Sequence, residues 1–75
     1  MNNNTVAFVD ELIELIKYKM ELVKNADDQD VKSYFIGQID GLMLVAMRLA
    51  DADQIFQLAR IDSSFAQELD TNGVG

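Results

Sequence analysis

The side chains best suited to chemistry at neutral pH are missing: the chain has no histidine and no cysteine. Imidazole proton transfer, thiolate attack, thiolate or imidazole metal ligation and disulfide bonding are therefore excluded. Ser33, Ser63 and Ser64 remain as hydroxyls, but an activated hydroxyl needs an adjacent base that this inventory does not favour. Carboxylates are plentiful. Asp27, Asp28 and Asp30 cluster in a stretch that reads as a loop, where they stay hydrated and suit helix capping. A calcium loop needs alternating oxygen ligands with Gly at the sixth position and Glu at the twelfth. Counted from Asp28 the sixth residue is Ser33, and counted from Asp51 it is Phe56. No glycine-rich phosphate loop is present either. The expectation is a non-enzyme with no catalytic residues, no metal and no cofactor.

Size, acidity and helical content resemble an acyl carrier protein, a family that carries phosphopantetheine on the serine of Asp-Ser-Leu at the start of its second helix. The Asp-Ser here is Asp62-Ser63-Ser64, followed by too few residues for the remaining helices, and Ser33 lies in Val31-Lys32-Ser33-Tyr34. The resemblance stops at the attachment residue.

The elements that position the remaining side chains must come from 75 residues, which allow one domain. It covers 1–75, with about 1–4 and 71–75 flexible. A single core of this size supplies only about 3–5 kcal/mol. With disulfides and metals excluded, self-association is the remaining reinforcement, and a homodimer or higher homo-oligomer is expected. The net charge of −7 repels phosphates and anionic lipid heads, so neither direct nucleic-acid binding nor membrane association is expected. The longest uncharged stretch is the nine residues before Asp10, against about 20 needed to cross a bilayer. No basic residue precedes the first apolar stretch as a secretory signal would require. Cytoplasmic location follows as the expectation.

Helical periodicity dominates the pattern. Thr5 can cap a first helix over Val6–Val23, which carries two adjacent apolar rows. One is Val9, Ile13, Ile16, Met20 and Val23; the other is Phe8, Leu12, Leu15 and Leu22, interrupted by Lys19. Together they span an arc of about 200°, wider than the stripe of an ordinary surface helix. The polar stretch from Asn25 to Asp30 then favours a tight antiparallel connection. A second helix from about Asp28 to about Asp51 carries Val31, Phe35, Ile39, Leu42, Met43, Ala46, Leu49 and Ala50 on one side. Beyond Asp51 that side turns polar, so a helix must end or bend near Asp51 to Asp53, or it must serve two partners on opposite faces. Gln54–Ile61 reads as a short helix capped by Asp51 or Asp53. Ser64-x-x-Gln67 has the form of a capping box for a last turn. The fold expected is all-α: an antiparallel helix hairpin plus a short C-terminal helix, dimerising into a four-helix core.

The residues that break this pattern are the candidate site. Gly37 and Gly41 stand four apart inside the second helix, where each costs about 1 kcal/mol against alanine. Leu44, Met47 and Arg48 share their outer side, and Ile55, Phe56 and Leu58 follow on the next helix. Such a surface suits a protein partner of a small acidic regulator, adaptor or inhibitor, a profile fitting a compact accessory protein of a phage or mobile element. The alternative is an acidic mimic of nucleic acid that blocks a DNA-binding protein through Asp51, Asp53, Asp62, Glu68 and Asp70, since the segment from Asp51 onward carries a net charge of −4. Lys19 is expected to extend its ammonium to water, and Gln38 could set register across a dimer.

Overall fold

The computed structural model describes residues 3–74, with side chains through Leu69. It contains three helices, α1 (Asn3–Asn25), α2 (Gln29–Leu49) and α3 (Ala52–Val74), and no strand among the described residues. The molecule measures 44 × 19 × 15 Å. The expected flexibility of Met1, Asn2 and Gly75 lies outside the described residues.

In α1 the first apolar row is the core row. Val9, Ile13, Ile16, Met20 and Val23 are all buried, because their spacing of three and four residues keeps them on one side of the helix. The second row is only partly covered: Leu12 packs against the core, while Phe8 and Leu15 stay exposed. Asn3 and Asn4 are already helical, so Thr5 lies inside the helix and does not mark its beginning. Asn3 and Asn4 carry only a modest helix penalty, and no Gly or Pro stops the helix there.

Asp28 turns the chain into α2. Its backbone is extended (φ −91°, ψ 127°), and its carboxylate accepts the Asp30 N–H at 2.8 Å, an N-cap of the usual kind. α2 returns antiparallel along α1, burying Ile39 and Ala46 and resting Phe35, Ile36, Leu42, Met43 and Ala50 on the core. Val31 and Leu49, the outer members of the expected stripe, remain exposed.

The expected break is present. α2 ends at Leu49, Ala50 is extended, and α3 starts at Ala52. Asp51 and Gln54 form a capping box: the Asp51 carboxylate accepts the Gln54 N–H at 2.9 Å, and the Gln54 Oε1 accepts the Asp51 N–H at 3.1 Å. The cap is therefore Asp51, and Asp53 is an exposed residue of the first turn. The expectation of a short helix over 54–61 with a new start at Ser64 is corrected, since α3 is a single helix of 23 residues. The apolar stripe explains its continuity: Leu58, Ile61, Phe65 and Leu69 continue at helical spacing and pack on the core. A cap at Ser64 would turn Phe65 and Leu69 away from it.

Two ties orient α3. Gln54 near its start donates to the Val6 carbonyl at 2.9 Å and to the Asp10 carboxylate at 2.8 Å, and Glu68 near its end pairs with Lys24 at 2.8 Å. α3 thus runs parallel to α1, completing an up-down-up arrangement.

Candidate interaction surface

Each helical residue advances about 100°. On that count Gly37, Gly41, Leu44 and Arg48 fall within a sector of roughly 60°, on the side of α2 opposite the buried Ile39 and Ala46. All four are exposed, Leu44 by 62%. A Cβ added to either glycine would meet nothing within 4 Å, and neither glycine has a positive φ. The glycines therefore serve neither a backbone turn nor a close contact inside the hairpin. They leave a bare strip of helix flanked by Tyr34, Leu44 and Val45, all exposed. Met47 falls about 60° outside this sector on the same count and is less exposed than Tyr34, Leu44 or Val45.

The α3 part of the expected surface divides. Leu58 is fully buried and belongs to the core, which corrects its placement on a binding face. Its position midway between Gln54 and Ile61 in the inward stripe forces this. Ile55 and Phe56 are exposed, but adjacent helical residues point about 100° apart, so they do not share a face.

The acidic residues are also drawn into different roles. Asp51 caps α3. Glu68 and Glu21 both hold the Lys24 ammonium, at 2.8 and 3.2 Å, and the hydrogen bond it donates to Glu68, reinforced by the one to Glu21, raises the Lys24 pKa above its ordinary value. Asp53 and Asp62 are exposed, and the Asp70 side chain lies outside the described residues. Among the described residues no group of His, Cys, Asp or Glu could hold a metal ion. Nor, among the described residues, is any helix long and apolar enough to cross a membrane.

Two features were not legible in the sequence. One is a groove of about 480 Å³ between α1 and α3, floored by Met20, Ile61 and Phe65 and rimmed by Lys17, Lys24 and Arg60. It exists only because α3 lies parallel to α1, which no sequence spacing announces. Lys17 and Lys24 are already paired with glutamates, leaving Arg60 as the cation without an ion pair among the described residues. The other is the open flank of the α1–α2 hairpin. There Phe8 and Leu15 of α1 and Val31, Val45 and Leu49 of α2 are exposed. Lys19 lies across this flank with its ammonium 5.5 Å from the Phe35 ring centre, a cation–π distance. Gln38 borders it, and the Gln38 Oε1 is buried without a hydrogen-bond donor among the described residues.

Comparison with known protein families, with curated proteins and with solved structures finds no significant match.

Proposed function

We propose that this protein is a non-enzymatic binding protein, a cytoplasmic regulator, adaptor or inhibitor that pairs with itself through its hairpins into a four-helix core and engages another protein through the outer face of α2. The single observation that carries the binding surface is the strip of Gly37 and Gly41 beside Leu44. The strip is exposed, apolar and open, and its glycines weaken α2 without any local need. Positions that break local consistency without a structural return are often functional. Tyr34 and Leu44 offer the apolar area that anchors a partner, and Arg48 offers a charged rim. Pairing of hairpins is supported by the exposed apolar flank and by the size of the chain, which limits its own core.

The test is Leu44→Glu. The substitution lies on an exposed residue, so the melting temperature and the mass in solution should equal those of the parent. A protein captured from the source cells by the parent, and verified by direct binding with purified components, should no longer bind. Parental affinity in the variant would remove this face from consideration.

A further inference from the structure

We propose that the open flank of the α1–α2 hairpin is covered by the same flank of a second copy, with the two α1 helices antiparallel and a twofold axis passing at Leu15. This rests on the pairing proposed above and specifies its face and register.

Spacing supplies the first support. On α1 the outer row is Phe8, Leu15 and Leu22, the first two exposed and Leu22 half-buried, and it is centred on Leu15, so an antiparallel second copy brings its Leu22 opposite Phe8 and its Leu15 opposite Leu15. On α2 the flanking residues are also symmetric, about position 40: Val31 matches Leu49, Phe35 matches Val45 and Gln38 matches Leu42. The two centres stand at one level. Lys19 stacks on Phe35, and four residues back along α1 and four onward along the antiparallel α2 bring Leu15 beside Ile39. One axis therefore serves both helices, as an isologous interface requires.

Area is the second support. The chain exposes 5208 Å², whereas a compact monomer of this mass exposes about 4,600 Å². The excess of roughly 600 Å² approaches the about 800 Å² that each partner buries in a standard interface.

Polar complementarity is the third. At this register Glu11 of the second copy stands level with Lys19 and offers the ammonium a carboxylate as water leaves the flank. The two Gln38 residues lie about 6 Å apart along the helices, within reach of an amide pair that would give the orphaned Oε1 a donor.

The chain has no cysteine, so every introduced thiol is unique. Leu15→Cys should cross-link to itself in nearly every dimer under a mild oxidant or a short bismaleimide. Phe8→Cys alone should not, because its two copies lie about 21 Å apart; a mixture of Phe8→Cys and Leu22→Cys should cross-link. Lys19→Glu should weaken the dimer about tenfold, and adding Glu11→Lys should restore it. Circular dichroism on each variant confirms that the helices persist. Self-cross-linking of Phe8→Cys would overturn the antiparallel register. A dimer that cross-links through Leu44→Cys and not Leu15→Cys would overturn the face while leaving dimerisation intact. A parent that sediments as a monomer at 100 micromolar would overturn both.

Discussion

Asp51 and Gln54 hold each other's backbone N–H groups across the first turn of α3, at 2.9 and 3.1 Å, and the remaining amide group of Gln54 reaches Val6 and Asp10 on α1. A local cap and a long-range tie thus meet in one side chain, which is 3% exposed. That joint position explains why α3 begins where it does and also why it lies beside the start of α1.

Removing the cap should be measurable. Asp51→Ala should cost about 0.5–2 kcal/mol, whereas Asp53→Ala, which removes only a charge near the helix start, should cost a few tenths. Gln54→Ala should cost about 1–3 kcal/mol, because it loses the reciprocal bond and leaves the Asp10 contact unmade. Urea titration of the three variants gives the order Gln54→Ala, then Asp51→Ala, then Asp53→Ala. A silent Asp51→Ala would show that the box does not hold the start of α3.

Lys24 gives a pH dependence with a definite sign. Its pKa is raised in the fold, first by Glu68 and then by Glu21. A group whose folded pKa is raised binds its proton more tightly when folded, so its contribution is fully present below the ordinary lysine value of 10.5. It is lost as the pH rises through the folded value. The pair is solvent-exposed, so the effect should be small and screened by salt. The melting temperatures of the parent and Lys24→Gln should differ at pH 8 and converge in strongly alkaline buffer. A gap that widened with pH would exclude this assignment.

Leu58 and Phe56 separate core from surface on one helix. Leu58 is fully buried, and Leu58→Ala should cost about 2–5 kcal/mol, a drop of about 8 °C or more at about 4–8 °C per kcal/mol for a domain of this size. Phe56 is 66% exposed, and Phe56→Ala should leave the melting temperature within a few degrees. Thermal denaturation followed by circular dichroism decides it.

The helices and the break at Asp51 were legible because the apolar spacing alone carries them. The row from Val9 to Val23 is buried as its period implies, and the stripe of α2 does change sides where the chain turns. What could not be read was which competing signal would prevail. Ser64-x-x-Gln67 carries a valid cap pattern, but burying Phe65 and Leu69 outweighs it, and α3 continues. Leu58 looked like part of an outer face because its neighbours Ile55 and Phe56 are apolar, while its true companions are Gln54 and Ile61. Gln54 itself was invisible as a junction, since its partners Val6 and Asp10 are distant in sequence and met only through the parallel packing of α3 on α1. The outer face of α2 was visible for the opposite reason: Gly37, Gly41 and Leu44 contradict the local pattern.

Those glycines supply the sharpest prediction. Both lie inside α2 with ordinary helical backbone, and an added methyl group would meet no neighbour. Gly37→Ala and Gly41→Ala should therefore each stabilise the chain by about 0.5–1 kcal/mol, through the reduced entropy of the unfolded state and the better helix propensity. The double variant should melt several degrees above the parent. If the strip docks a partner closely, the same methyl groups stand between the two surfaces, and affinity should fall as stability rises. A double variant that gains stability and keeps full affinity would leave the glycines without a role in binding. One that loses stability would reveal a neighbour packed on this face, and would place the self-association surface there instead of on the flank centred at Leu15.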